Sequence, residues 1–184
     1  GNKEATDAAF ARAKHTVSLR LHNNRISANA MEPRACIGDF ANGSFTLYTS
    51  SQNPHGVRSI LSAAVFRIPE IQLRVIAPDV GGGFGMKGDI YPEDGLVLWA
   101  SRRLGRPVKW VATRTESLLG DNHGRDQLVN AEMALDEGGK ILAIRMQALH
   151  AVGACVTNAG VVPVLCALRN IPNVYVVPAM LVAA

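Results

Sequence analysis

The sequence predicts an α+β fold with mixed β-sheets and a few helices packed on one face. Three observations predict it: segments with strand periodicity outnumber helical ones, the helices flank single strands, and a hairpin signal coexists with strand–helix–strand units.

The first element is a short helix that Thr6 or Asp7 can cap, running through Ala13 with Phe10 as its apolar contact. The period then changes. From His15 to Leu21, Val17, Leu19 and Leu21 alternate with Thr16, Ser18 and Arg20, the pattern of a half-buried strand, and Asn23-Asn24 marks a turn before Arg25-Ile26-Ser27. Ser44 to Ser50 reads as another strand, with Phe45, Leu47 and Thr49 on one face. Pro54 fits the first position of the next helix, Asn53 is its N-cap, and Val57, Ile60, Leu61, Ala64 and Val65 recur on one face. Ile71 to Ala77 reads as a strand that Pro78 stops. A further helix opens on Pro92-Glu93-Asp94, carries Leu96, Trp99, Ala100 and Leu104 as its apolar stripe, and closes at Gly105. After Pro107 the chain returns to strands: Val108 to Ala112, then Leu128 to Leu135 and Lys140 to His150, joined by the hairpin signal Asp136-Glu137-Gly138-Gly139. From Val152 onward helix and strand readings both stand.

No repeat or low-complexity linker marks a boundary. Residues 1–184 therefore read as one domain, or as two small α+β subdomains with no firm boundary between them. The apolar ending Val176 to Ala184 has no stop signal, so the chain reads as an excised fragment.

Composition narrows the function classes. With 48% hydrophobic residues, 18% charged and a net charge of +4, the profile is globular, and Lys/Arg do not cluster with aromatics as a nucleic-acid binder would require. Cys36, Cys155 and Cys166 are odd in number and form no C-x-x-C pair, so they read as buried small hydrophobes in a reducing compartment. The apolar stretches Val161 to Leu168 and Val174 to Ala184 each contain Pro and are too short to span a bilayer. Gly1-Asn2-Lys3-Glu4 lacks the pattern of a secretory signal, and a cytoplasmic location is expected.

The stretch with most chemical content is Gly81-Gly82-Gly83-Phe84-Gly85, at a strand-to-loop exit. Glycine tolerates positive φ and leaves its amide unshielded, so the run offers N–H donors to an anion or a polar ring. Nucleotide fingerprints fail on spacing: Met86 stands where a dinucleotide motif needs its third glycine and where a Walker loop needs its second, and Gly88 replaces the Walker Ser/Thr. The spacing therefore argues against a nucleotide-phosphate binder using Gly81 to Lys87. Ser50-Ser51-Gln52-Asn53 ends another strand at a helix start, where Gln52 would present an amide beside the helix N-terminus. The plainer alternative makes Gln52 a solvated turn residue and Asn53 only a cap.

Six motifs then occur in order: Met31-Glu32-Pro33-Arg34, Gln52-Asn53-Pro54-His55-Gly56-Val57-Arg58, Asp79 to Lys87 with the glycine run, Tyr91-Pro92-Glu93, Leu104-Gly105-Arg106-Pro107-Val108-Lys109-Trp110 and His123-Gly124-Arg125-Asp126. Together, over nearly the whole chain, they closely resemble the molybdopterin-binding catalytic subunit of the xanthine dehydrogenase, aldehyde oxidase and aerobic carbon monoxide dehydrogenase family. The resemblance implies a molybdenum-dependent oxidoreductase that hydroxylates an aldehyde, an N-heterocycle or carbon monoxide with water as oxygen source. It implies molybdopterin, in its cytosine dinucleotide form, with molybdenum held by the pterin dithiolene rather than by protein ligands. Iron–sulfur and FAD-binding subunits or domains would be the partners and a small molecule the substrate, with neither nucleic acid nor membrane involved. Cofactor-binding roles fall on Gln52, which matches a glutamine bonded to an oxo ligand of molybdenum, and on Gly82, Gly83, Phe84 and Gly85, which match the loop lying against the metal centre and pterin. The family's catalytic glutamate and a loop over its active site have no counterpart in these residues, so no catalytic residue and no direct metal ligand is expected. Gly88, followed by Asp89, stands where purine- and aldehyde-oxidising members of one branch carry a substrate-binding glutamate, and the motif wording is nearer the bacterial carbon monoxide dehydrogenase-like branch.

Three other groups have structural expectations. Glu32 reads as a carboxylate accepting backbone N–H bonds, His123, Arg125 and Asp126 as a turn network or ion pair, and His55 as a neighbour of the site. The alternative for the isolated chain is a structural or assembly module that retains no cofactor, since half a site binds poorly without its other wall.

Overall fold

Along the chain run helix α1 (Lys3–Ala11), strands β1 (His15–Asn23), β2 (Ala35–Ala41) and β3 (Ser44–Thr49), helix α2 (Pro54–Ile60), strand β4 (Leu73–Ile76), helix α3 (Pro92–Leu104), strand β5 (Val108–Val111), helix α4 (Arg114–Gly120), strands β6 (Gln127–Leu135) and β7 (Ile141–His150), helix α5 (Asn158–Asn170) and strand β8 (Ala179–Ala183). The computed structural model describes residues 1–184, except for the side chains of residues 158, 159, 163 and 167–169. Mixed sheets with helices are the observed class, as expected. The residues divide into two compact units, the first made of Gly1–Ile26, Gly124–Val156 and Gly160–Ala184, the second of Ser27–His123 with Thr157–Ala159.

In the first unit a four-stranded sheet runs in the order β1-β6-β7-β8, with β7 and β8 parallel and the other pairs antiparallel. The β6–β7 turn follows its expected chemistry: Asp136 Oδ1 accepts the Gly138 and Lys140 amides at 3.0 and 2.8 Å, and Gly139 takes φ 83°. Helix α1 lies on the sheet through Ala9, Ala134 and Ala143, whose small side chains permit close approach. The helix begins earlier than expected and stops at Ala11, because Asn2 is its cap and accepts the Ala5 amide; Thr6 is instead buried, its hydroxyl donating to the Asn2 carbonyl at 2.7 Å.

Strand β1 also departs from expectation, since all nine of its residues are exposed. It is one edge of the sheet, and α1 lies toward the other, over Ala134, Ala143 and Ala179. Val17, Leu19 and Leu21 pair in register with Met133, Ala131 and Val129, which places them on the face opposite Ala134 and α1.

The second unit contains a sheet of order β4-β3-β2-β5, in which β3 and β4 run parallel and the remaining pairs antiparallel. Its core gathers Cys36, Phe45, Leu47, Val57, Leu61, Leu73, Val97 and Leu98. Asn53 caps α2 as expected, its side chain accepting the Gly56 amide at 3.0 Å. Past Ile60 the helix widens into a π-helical segment over Leu61–Phe66. The wider turn shifts the phase of the pattern, so Val57 and Leu61 are buried while Ile60, Ala64 and Val65 face out.

Helix α3 has the expected limits but presents a different face. Asp94, Val97, Leu98 and Ser101 are buried, whereas Leu96, Trp99 and Leu104 are exposed. The sheet supplies the reason. Thr49 donates to Asp94 Oδ1 at 2.9 Å, and Ser101 Oγ accepts the Phe40 amide at 2.9 Å, so two polar side chains have partners on the buried side. Gly38 lets the helix approach, because a Cβ there would lie 2.5 Å from the Val97 carbonyl carbon.

The predicted strand after Pro69 is shorter than expected, with Glu70–Gln72 forming a 3₁₀ turn. Helix α4 is an element that hydrophobic periodicity does not announce. Its signal is the box Thr113-x-x-Glu116, in which Thr113 Oγ1 accepts the Glu116 amide and Glu116 accepts the Thr113 amide. Of the cysteines only Cys36 is buried, where burial pushes its thiol up to about 12; Cys155 and Cys166 are exposed, contrary to expectation. No helix among the described residues is long and apolar enough to cross a membrane.

Candidate functional site

The parallel pairing of β3 with β4 decides where the predicted site residues go. Parallel neighbours end at the same sheet edge, so the exits that carry Gln52 and the glycine loop leave side by side. The two segments are bonded twice: the Gln52 amide donates to the Lys87 carbonyl at 2.9 Å, and the Gly85 amide donates to Gln52 Oε1 at 3.0 Å. The Gln52 side chain therefore does more than terminate a turn.

That second bond orients the carboxamide. With Oε1 engaged by an N–H donor, Nε2 is the end left to donate to something else. Gly83 packs directly against this side chain, and a Cβ at that position would sit 2.3 Å from Oε1. Only glycine fits beside Gln52 in this orientation.

Within the loop the five amides have different fates. Gly81 donates to Glu32 Oε2 at 2.8 Å, Gly82 to the Val80 carbonyl at 2.9 Å and Gly85 to Gln52. Among the described residues no acceptor takes the amides of Gly83 and Phe84. The donor surface is thus narrower than the glycine run suggests: two adjacent backbone N–H groups beside Gln52. Phe84 occupies the left-handed region at φ 53°, unusual for an aromatic residue, with its ring against Gly82 and 75% exposed.

The loop's entry and exit are fixed by buried polar groups. Glu32 meets Gly81 reciprocally, its own amide donating to the Gly81 carbonyl at 3.1 Å. The same carboxylate oxygen that holds Gly81 receives Lys87 Nζ at 2.8 Å, and Lys87 is fully buried. Burial works against the Glu32 charge, but the Lys87 hydrogen bond, the Gly81 amide and the Lys87 charge outweigh it, and its carboxyl lies below the ordinary range. Glu32 thus accepts backbone N–H as expected. Its ion pair with Lys87 is a feature sequence reasoning misses, because nothing in local spacing marks a lysine as buried.

Tyr91 and Arg34 support the exit. Tyr91 Oη donates to the Met86 carbonyl at 2.9 Å and accepts the Asn122 amide at 3.1 Å, and burial pushes the phenol up to about 12. The Arg34 guanidinium stacks 3.6 Å from the Tyr91 ring centroid and binds Glu93 and Asp121 at 2.8 and 2.6 Å. Arg114 holds the segment before Glu32 through the Ala30 and Met31 carbonyls. A cavity of about 10 Å³, lined by residues including Arg34, Thr49, Ser51, Lys87, Tyr91 and Asp94, lies in this network and has room for no more than water. Gln52 and Phe84 lie outside it, on open surface.

The remaining candidates stand apart from this cluster. His55 is exposed in the first turn of α2. His123 Nε2 lies 3.1 Å from the Leu118 carbonyl, and Asp126 is 3.9 Å from Arg25, an ion pair. Among the described residues, no group of three His, Cys, Asp or Glu side chains is placed to hold a metal ion.

Residues 1–184 match the family model described as Molybdopterin cofactor-binding domain. The chain is 41% identical over 156 residues to the carbon monoxide dehydrogenase large chain of Hydrogenophaga pseudoflava, covering 84% of this chain and 19% of that one. It is 40% identical over 150 residues to the nicotine 6-hydroxylase large subunit of Paenarthrobacter nicotinovorans, covering 80% and 18%. The structure is similar to quinoline 2-oxidoreductase from Pseudomonas putida 86, with TM-score 0.88, 34% identity, and coverage of 94% of this chain and 22% of that one. The chain therefore spans about a fifth of the length of these relatives.

Proposed function

The chain belongs to the molybdopterin cofactor-binding domain family of molybdenum hydroxylases, and on that premise we propose that it is part of a large subunit carrying a molybdenum–pterin cofactor in cytosine dinucleotide form. The activity would be oxidative hydroxylation of an aldehyde, an N-heterocycle or carbon monoxide with water as oxygen source. When bound, the group supplies two-electron redox chemistry at molybdenum held by the pterin dithiolene. Iron–sulfur and FAD-binding partners would carry the electrons away, and the enzyme would work in the cytoplasm.

The observation that carries this reading is one juxtaposition: the unengaged amides of Gly83 and Phe84 beside the unengaged Nε2 of Gln52. An oxygen-rich group needs donors at a surface that does not rearrange to receive it, and each of these is fixed from behind. Gln52 would donate through Nε2, the Gly83 and Phe84 amides would donate from the main chain, and the Phe84 ring would wall the group from water. Gly82 and Gly85, at φ 93° and 90°, give the loop the turns this display requires.

The open position of Gln52 and Phe84 supports a second statement about the isolated residues. They form one wall of a site, so these 184 residues alone would retain no cofactor and would act as a structural module. The test is elemental analysis and acid release of the nucleotide from the complete large subunit, purified with its partners. One molybdenum and one cytidine nucleotide per subunit are expected; a folded complex containing neither overturns the reading.

A further inference from the structure

We propose that Lys87 is a positioning residue for the cofactor-facing loop, tying both of its anchors to one residue: Glu32 through the ammonium group and Gln52 through the main-chain carbonyl. The inference rests on the cofactor reading above and extends it to a residue that touches neither the free amides nor Nε2.

The geometry is a closed circuit. Lys87 Nζ reaches Glu32 Oε2 at 2.8 Å, and that atom also accepts the Gly81 amide at 2.8 Å, at the loop's entry. Lys87 O accepts the Gln52 amide at 2.9 Å, with Ser51 Oγ 3.4 Å away, and Gln52 Oε1 accepts the Gly85 amide near the loop's exit. Gly83 and Phe84 lie between these two anchors. Their amides are therefore held in place by a residue just downstream of them.

Chemistry explains why the pair is ionic. A fully buried ammonium is costly without a partner, and Glu32 is the carboxylate that answers it. The benefit for the loop lies in the sum of charges. A lone carboxylate at Gly81 would repel an anionic or oxygen-rich group arriving at Gly83 and Phe84, whereas a Glu32–Lys87 pair accepts the Gly81 hydrogen bond with no net charge. Removing the lysine also frees the partly exposed Glu32 side chain to turn to water and release Gly81.

The test uses the complete large subunit with its partners, in the forms Lys87→Met, Glu32→Gln and the double variant. Three quantities are read: molybdenum per folded subunit, hydrogen-exchange protection of the peptide spanning residues 79–88, and the electron paramagnetic resonance line shape of the retained pentavalent metal. Lys87→Met is expected to lose about tenfold in occupancy and to expose Gly81 and Gly85 to exchange, while its retained metal shows a changed line shape. The double variant is expected to regain most of the occupancy, because the carboxamide oxygen introduced by Glu32→Gln accepts the Gly81 amide without an unpaired charge. Glu32→Gln alone strands the buried lysine, so its folded fraction should also show a deprotected loop. Wild-type protection and line shape in Lys87→Met and Glu32→Gln overturn the inference, as does an occupancy loss that tracks only the loss of folded protein and is not recovered in the double variant. A wild-type complex free of molybdenum removes the cofactor reading itself, and unchanged loop exchange in the variants would then remove the circuit as well.

Discussion

The Gly85 amide donates to Gln52 Oε1 at 3.0 Å, and this one bond determines which end of the Gln52 carboxamide can serve a ligand. Gln52→Glu isolates the consequence. The carboxylate still accepts from Gly85 but has no donor to offer, and hydrogen bonds to charged or strongly polar acceptors are worth about 1.5–3 kcal/mol. Molybdenum occupancy or turnover of the complete enzyme should fall by about 10- to 100-fold with an unchanged melting temperature. Wild-type occupancy and rate together would show that Nε2 is idle.

Gly83→Ala approaches the same contact from the other side. The new methyl would lie 2.3 Å from Gln52 Oε1, and since Gln52 is an exposed side chain it can give up its Gly85 bond and swing away rather than distort the fold. Stability should change by no more than about 0.5 kcal/mol. Cofactor content, measured on the folded fraction, should drop about as far as in Gln52→Glu; a variant with full cofactor content would refute the cradle.

Gly38→Ala should do the reverse, damaging the second unit rather than the site. Its Cβ would meet the Val97 carbonyl carbon at 2.5 Å and the Leu98 nitrogen at 2.6 Å, and helix backbone cannot step aside as a side chain does. Overpacking of this kind costs about 1–3 kcal/mol, here toward the upper end. Urea unfolding midpoints measure it, and an unshifted midpoint would mean that α3 tolerates displacement from β2.

Two carboxylates should shape the acid stability in opposite directions. Glu32 lies below its ordinary value of 4.5, so its contribution is complete above that pH and is lost as pH falls through the lowered folded value. Asp94 lies above its ordinary 3.8 because burial outweighs the Thr49 and Tyr91 hydrogen bonds, so its contribution is present below 3.8 and is lost as pH rises through the raised value. Urea midpoints across about pH 3 to 7 should show a flatter acid limb for Glu32→Gln. Asp94→Asn should show a smaller stability loss just above 3.8. Identical pH profiles for wild type and both variants would contradict the assignment.

Much of this arrangement is legible in the sequence where chemistry is local. Pro54 after Asn53, Gly105 after Leu104 and the Asp136 turn announce themselves because caps and turns are decided by a few neighbouring residues. The adjacency of Gln52 and the glycine loop follows from motif order and strand exits. What is hidden depends on partners distant in sequence. Leu96 and Trp99 look like the inner face of α3 until Thr49 and Phe40 supply partners for Asp94 and Ser101. Lys87 looks like a surface lysine until Glu32, 55 positions earlier, meets it. Cys155 and Cys166 are exposed although their residue type is usually interior.

The interleaving of the two units sets an order of events during synthesis. Ser18 is 114 positions from its partner Glu132, so β1 leaves the ribosome long before the strand it must pair with. The buried core of the second unit's sheet lies between Cys36 and Leu98, with Val108 and Trp110 of β5 packed against it, all ahead of β6 in sequence, so that core can close while β1 is still waiting. For that interval Val17, Leu19 and Leu21 sit on a strand that has no ladder partner, a natural handle for a holdase.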